Sequence, residues 1–317
     1  MVKIAVAGGS GNIAQEIIDV LAATKKHEIL LLSRKDASSE NLAPGVTWVK
    51  ANYGSVDKLA QVLEGVDTLL SLIVTHSDPG NVSQRNLIDA AVRASVRRFA
   101  PSEWATSSFE YMPWYDGKAE IREYLKELNK DKKILEYTLF QPGLLTNYFT
   151  GPHMSSKHIH PMETPLDFGG RRFIIMERME SVPITLTTVQ DLANVVARAV
   201  EYEGEWPAIG GIKGDELTIE QIIKLAKKVR GGPAHIDRLK KDDLKAGVVK
   251  SSWLPKADHP SFTPEQVKAM SEVLTAGILL GISVGAMNVS DEWNKLLPDY
   301  EFTKAEDFLA KEWRDKS

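Results

Sequence analysis

Apolar residues in the first half of the chain alternate between short continuous runs and helical spacing. Ile4–Ala7 predicts a short buried strand, followed by glycines and a helix from about Ile13 to Ala23. Ile29–Leu32 predicts the second strand, Val46–Lys50 a third nearer an edge, and Val56–Leu63 a short helix. Thr68–Val74 is an unbroken apolar run of strand length, as expected of a central strand covered on both faces. Val82–Ala94 then reads as a helix carrying Leu87, Ile88, Ala91 and Val92, and Val96–Ala100 as a strand stopped by Pro101. Lys118–Asn129 predicts a helix and Tyr137–Phe140 a strand terminated by Gln141-Pro142-Gly143. Six strands with intervening helices predict an α/β fold of the Rossmann type, a doubly wound parallel sheet.

The pattern loosens afterwards. Residues 151–163 hold three histidines, two prolines and several serines, and read as a loop. Phe173–Met176 and Pro183–Leu186 predict strands, and Gln190–Glu201 a helix capped by Thr187 or Thr188. Leu217-Thr218 followed by Glu220–Val229 repeats the strand-end-to-helix pattern, and the remainder reads as helical, with loops near Pro255, Pro260 and Pro298. The division this suggests is a nucleotide-binding domain over 1–150, to which 183–214 returns, and a smaller, mainly helical substrate region over 151–182 and 215–317.

Composition narrows the chemistry. Among 317 residues there is no cysteine, which removes disulfides, thiol nucleophiles and Cys-ligated metals. With 39 basic and 43 acidic residues well mixed, no basic surface for nucleic acid is expected. The longest apolar stretch, Val273–Val289, is short of the roughly 20 residues that cross a bilayer. Its Gly277, Gly281 and Gly285 recur every fourth residue, which suits a close-packed helix in a soluble core better than a membrane dimerisation face. The N-terminal run is too short for a signal-peptide core, so a cytoplasmic, membrane-free protein is expected, with room for homo-oligomers.

Chemistry concentrates at the strand ends. Gly8-Gly9-Ser10-Gly11-Asn12-Ile13-Ala14 lies between the first strand and its helix, where a pyrophosphate needs a tight turn, bare backbone and a helix N-terminus. Gly8 and Gly11 meet the first two needs, while Ala14 replaces the glycine often found there for close helix–strand approach. The second strand ends in Ser33-Arg34-Lys35, with no carboxylate until Asp36. Two cations in that place predict preference for the 2′-phosphate of NADP(H).

Together with Arg97-Arg98-Phe99-Ala100-Pro101-Ser102-Glu103-Trp104, Lys118-Ala119-Glu120-Ile121-Arg122 and Gln141-Pro142-Gly143, these segments resemble the NmrA-like, isoflavone-reductase-like branch of the atypical short-chain dehydrogenases. The resemblance is good over roughly residues 1–200 and looser beyond. It implies an NADP(H)-dependent reductase in which Lys118 lies beside the nicotinamide and serves proton transfer or charge stabilisation. It also implies a small aromatic or alkaloid-like substrate, reduced at a conjugated carbonyl, imine or quinone-methide-like carbon. Two other readings share the pocket: an NADP(H) sensor without turnover, and a cyclase closing a ring through an imine.

Around Lys118, Tyr115 stands three residues upstream, one short of the Tyr-x-x-x-Lys spacing, and Trp114 takes the four-residue position. Tyr115 and His76 are candidate proton donors, although Tyr115 suits a pocket wall or packing better, and a hydrogen-bonded loop histidine is as natural a role for His76. Ser102 and Glu103 follow the fifth strand and are placed to orient Lys118 or the ribose, Glu103 being a candidate catalytic group. Thr75, Pro142, Gly143 and Leu144 are expected to run past the cofactor, with Asn12, Ile13 and Lys118. Trp114, Tyr115, Tyr148, Phe149 and His153 are expected to line an aromatic substrate cleft. His153, His158 and His160 lack helical spacing and have no carboxylate neighbour until Glu163, so a loop covering the substrate is expected there rather than a metal site.

Overall fold

The computed structural model describes residues 1–37, 42–257 and 263–316; the loop expected near Pro260 lies outside them. Six parallel strands form the main sheet: β1 (Val2–Ala7), β2 (His27–Ser33), β3 (Val46–Lys50), β4 (Thr68–Ser71), β5 (Arg98–Ala100) and β6 (Glu136–Tyr137). Their order, β3-β2-β1-β4-β5-β6, reverses direction between β1 and β4. A doubly wound sheet opens its ligand crevice at that switch point, outside the carboxyl ends of the strands.

Strand alternation sorts side chains onto two faces. Ile4 and Val6 of β1 pack beneath α1 (Asn12–Ala23), together with Ile29 and Leu31. Ala5, Ala7, Leu30 and Leu32 face the opposite layer, made by α2 (Val56–Val62), α3 (Val82–Arg93) and α4 (Asp116–Leu128). Every one of these strand residues is buried, which explains why the strands read as continuous apolar runs.

Two strands are shorter than their apolar runs, and a third is divided. Leu72 still donates its N–H to Ala7 O at 2.8 Å, but the chain then leaves the sheet and turns at Thr75–Ser77. β5 holds only the last three residues of the expected Val96–Ala100. The expected Tyr137–Phe140 strand is split: β6 joins the main sheet, whereas β7 (Leu139–Gln141) pairs with β12 (Ile209–Gly211). Phe140 anchors that division, stacked between Trp104 at 5.2 Å and Trp293 at 5.6 Å.

The second half adds β8 (Leu144–Leu145), β9 (Leu166–Asp167), β10 (Arg172–Met176), β11 (Pro183–Thr187), β13 (Asp215–Thr218) and β14 (His235–Leu239) in small sheets. Its helices are α5 (Val189–Glu201), α6 (Ile219–Arg230), α7 (Lys241–Lys245), α8 (Pro264–Ser283), α9 (Glu292–Leu296) and α10 (Ala305–Glu312). Thr188, rather than Thr187, caps α5 by accepting from Asp191 N. α5 packs on α1 and shares its core, while α6, α8 and α10 enclose a separate core around Phe173, Ile175 and Leu279. β14 corrects the expectation that everything after residue 230 is helix. Its half-polar sequence, His-Ile-Asp-Arg-Leu, is strand only because β10 supplies a parallel partner.

The glycine stripe of α8 divides into two kinds. A Cβ on Gly277 would stand 2.5 Å from Tyr111 O and 2.6 Å from Trp114 Cη2, and one on Gly281 would strike Met112. Gly285 lies beyond the helix with φ +82° and open space around it. Among the described residues, no helix is long and apolar enough to cross a membrane.

Candidate functional site

The crevice begins at the glycine turn. Gly8 takes φ +72°, and a Cβ there would lie 2.7 Å from Leu72 O; a Cβ on Gly9 would lie 2.6 Å from Leu31 Cγ. Gly8 therefore supplies the turn, and Gly9, which the sequence reading left without a role, lets the turn press onto the β2 side chains. Tyr53, also unanticipated, seals the back of the turn: its hydroxyl donates to Leu32 O at 3.1 Å and accepts from Gly8 N at 3.3 Å. Burial pushes that phenol up to about 12, so it keeps its proton.

Helix α1 starts at Asn12 with Gly11 as its N-cap. No side chain caps it and no acidic residue stands in its first turn, so its end N–H groups and positive dipole end remain for an external anion. Gly11, Asn12, Ile13 and Ala14 form one wall of a cleft of about 460 Å³. The opposite walls come from Thr75 and His76 after β4, Ser102 and Trp104 after β5, Trp114, Tyr115 and Lys118 at the start of α4, and Tyr148. Ile159, His160 and Met162 close it from the 151–163 loop.

That loop is tied to the cofactor-side helix. Asp19 of α1 accepts from Lys157 at 2.6 Å and from His158 at 2.9 Å, and Glu16 accepts from His158 N at 2.6 Å. The three histidines therefore go separate ways: His158 to Asp19, His160 to the cleft, and His153 edge-on to Trp313 at 5.6 Å.

Arg34 and Lys35 are exposed at the end of β2 and lie outside the residues lining this cleft. Asp36, the nearest carboxylate in sequence, is held by Lys50 at 2.6 Å. Among the described residues neither Arg34 nor Lys35 has a carboxylate partner.

Behind Trp104, Trp114, Tyr115 and Tyr148 the cleft continues into a chamber of about 300 Å³. Met112, Gly143, Leu144, Leu145, Leu166, Leu274, Ile278, Ile282 and Met287 form an apolar part of its wall, with Glu163 and Lys256 as its charged members. Gly143 reaches this position with φ +69° and packs so tightly that a Cβ would lie 2.5 Å from Thr185 O. Trp104 is held at the boundary in a left-handed conformation, φ +47°, by its Nε1 bond to Ser71 O at 2.8 Å and by stacking on Phe140.

The expected lining needs three corrections. Phe149 is buried in the C-terminal core, stacked on Phe168 at 4.6 Å, and reaches neither cavity. His153 likewise faces Trp313. Pro142 is buried and lines neither cavity, while its neighbours Gly143 and Leu144, expected beside the cofactor, line the chamber. The residues from α8 and Met287 were missed because nothing in their linear pattern separates a chamber wall from ordinary core.

Lys118 lies in the wall of the cleft, 9% exposed, beside Tyr115, which lines both cavities. Its Nζ stands 4.7 Å from the Tyr115 ring centre and donates to the backbone carbonyl of Glu103. Burial lowers its ammonium to about 8, with Glu103 opposing the fall and Arg122 adding to it. The Glu103 carboxylate is turned away from the cleft: it accepts from Arg122 Nε at 3.0 Å and Nη2 at 2.7 Å. That geometry removes Glu103 from the groups able to touch a substrate. Burial raises the phenol of Tyr115, and takes that of Tyr148 to about 12, so both are proton-bearing groups near neutrality.

An uncapped helix N-terminus above a glycine turn, a buried lysine in the same cleft, and an apolar chamber sharing that cleft's aromatic residues define a nucleotide-dependent enzyme-like site on a Rossmann scaffold. The profile of the NmrA-like family matches residues 2–309, and the chain belongs to that family. It is similar to an oxidoreductase, BOA1, of Botryotinia fuckeliana, at 27% identity over 97% of this chain and all of the relative. It is also similar to the oxidoreductase swnN of Metarhizium robertsii, at 24% identity over 99% and 98% of the two chains. Among solved structures, AtPrR2 with NADP+ and (+)pinoresinol superimposes with a TM-score of 0.69 at 17% identity, covering 98% of each chain. The quinone oxidoreductase QOR2 of Escherichia coli complexed with NADPH gives 0.69 at 21%, covering 97% of this chain and 99% of that one.

Proposed function

We propose that this protein is an NADP(H)-dependent oxidoreductase acting on a small, largely apolar, aromatic or alkaloid-like molecule. The observation that carries the reading is the position of Lys118, a buried ammonium that shares one cleft with the anion-ready end of α1 and stands against Tyr115, which also walls the apolar chamber. Kinship supports it, since relatives in the family carry oxidoreductase names.

The nucleotide fits the residues present. The α1 N-terminus would take the pyrophosphate, and Gly8 leaves backbone where a side chain would collide. Arg34 and Lys35, unpaired among the described residues, would face the 2′-phosphate. When bound, the dinucleotide supplies or accepts the hydride. The substrate's ring system fills the chamber against Trp114 and Leu144, and its reacting carbon faces the cleft beside Tyr115. Lys118 stabilises negative charge developing on the substrate's oxygen or nitrogen, and can return a proton to it. Tyr115 and Tyr148 offer neutral O–H donors along the same boundary. Trp104 and Met162 cover the boundary and limit water.

The test follows NADPH absorbance while the purified protein meets imines, enones and quinones. Turnover that falls by about 10²-fold or more in Lys118→Met supports the reading, on the scale of removing one charge-stabilising group. NADPH binding with no oxidation by any compound would replace it with the sensor. Ring closure without net NADPH consumption would replace it with the cyclase.

A further inference from the structure

We propose that Glu103 and Arg122 form a buried clamp that positions Lys118 and sets its charge. The inference rests on the reading of Lys118 above and assigns both residues a positioning role rather than a catalytic one.

Lys118 and Arg122 stand four residues apart on α4, on one helical face. Both grip the segment that follows β5. Lys118 donates to the Glu103 carbonyl, while Arg122 takes the Glu103 carboxylate with two parallel bonds. The same guanidinium donates to Thr106 O at 3.1 Å and Ser107 O at 3.0 Å, and its carbon lies 4.0 Å from the Phe109 ring centre. One side chain thus uses four of its five N–H donors on a five-residue segment. That segment includes Trp104, held in a left-handed conformation that a bulky residue adopts only when its surroundings impose it.

The charges interlock as tightly as the bonds. Glu103 is 1% exposed, and it is the carboxylate shared by two neighbouring cations. Arginine keeps its proton, so Lys118 is the cation that can release one. The other titratable groups around Lys118 are Tyr115, Tyr148, His76 and His160, all in the wall of the same cleft; of these, Tyr115 has its phenol raised by burial and also by the Glu103 charge, and stays neutral near pH 7. Neutralising Glu103 leaves two like charges facing each other, which disfavours the Lys118 ammonium. Neutralising Arg122 leaves Lys118 beside an unshared carboxylate, which favours it. The clamp therefore predicts displacements of opposite sign, which a purely structural contribution does not produce.

The experiment uses the full chain labelled with 13Cε-lysine, with the Lys118 resonance assigned by its loss in Lys118→Met. Its titration is followed by NMR, and the pH profile of kcat/KM is recorded beside it. Glu103→Gln should lower the Lys118 midpoint and Arg122→Gln should raise it, each by on the order of one pH unit. Arg122→Lys keeps the charge without the fork and should leave the midpoint near wild type while reducing kcat. It also serves where Arg122→Gln does not fold. Midpoints that stay in place, or move in the same direction, would overturn the clamp. Opposite displacements in a protein whose Lys118→Met variant still turns over would uphold the clamp and overturn the catalytic reading of Lys118.

Discussion

Lys118 carries a stability cost that can be measured without any substrate. The fall of its ammonium from the ordinary 10.5 to about 8, at about 1.4 kcal/mol for each pH unit, amounts to about 3 kcal/mol against the folded state near neutrality. Lys118→Met removes the charge and keeps an unbranched chain of similar length, while losing the bond to the Glu103 carbonyl. Set against about 1.5–2 kcal/mol for a bond from a charged donor, the variant should be more stable than wild type by roughly 1–1.5 kcal/mol at pH 7. The sign of the pH dependence follows from proton counting. Below about pH 8, Lys118 is protonated in both states and the penalty is complete. Between about 8 and 10.5 the unfolded chain still holds the proton that the folded protein has released, so wild type gains stability as pH rises. Above that window the penalty is gone and the variant's advantage with it. Urea unfolding of both proteins at pH 7 and at pH 10 reads this directly, as a midpoint roughly 0.5 M higher for the variant at pH 7 that closes at pH 10. A variant less stable than wild type at pH 7, or a difference that ignores pH, would refute a buried, charged Lys118. The expected outcome is a site that holds a cation at the expense of stability, as functional groups often do.

Arg34→Ala should weaken NADPH binding by about 10- to 50-fold, the scale of a lost charge-assisted contact, and NADH binding by less than about 2-fold; calorimetric titration with both nucleotides checks it, and equal losses would remove the 2′-phosphate assignment. Gly143→Ala should cost about 2–4 kcal/mol, because φ of +69° disfavours any Cβ and Thr185 O stands 2.5 Å from its place; thermal unfolding measures it. Asp19→Asn should hardly alter the unfolding midpoint, since exposed ion pairs contribute little, yet limited proteolysis should cut the 151–163 loop faster once Lys157 and His158 lose their charged partner.

Local sequence made the first half of this chain legible. Strands buried on both faces carry apolar runs, and a parallel sheet must return each strand through a crossover; both demands are visible in β1, β2 and the helix α1 between them. The glycine turn was readable because a turn this tight favours glycine, and Gly8 meets it with φ +72° where a Cβ would lie 2.7 Å from Leu72 O. Lys118 was found through a family resemblance, since a lysine in a helical first turn has no distinguishing pattern of its own.

What tertiary structure alone decided is how the pieces face one another. Glu103 has the composition of a catalytic carboxylate, but Arg122, nineteen residues away, turns it from the cleft. Phe149 and His153 share the aromatic character of Trp114 and Tyr148, yet packing sends the first pair to Phe168 and Trp313 and the second pair to the chamber. The chamber wall itself joins Gly143 and Leu144 to Ile278 and Ile282 of α8, more than a hundred residues later in the chain. Periodicity records which side of an element is buried, and the sequence by itself determined that much. The identity of the surface it meets, and so the shape and charge of the site, arises only from long-range packing.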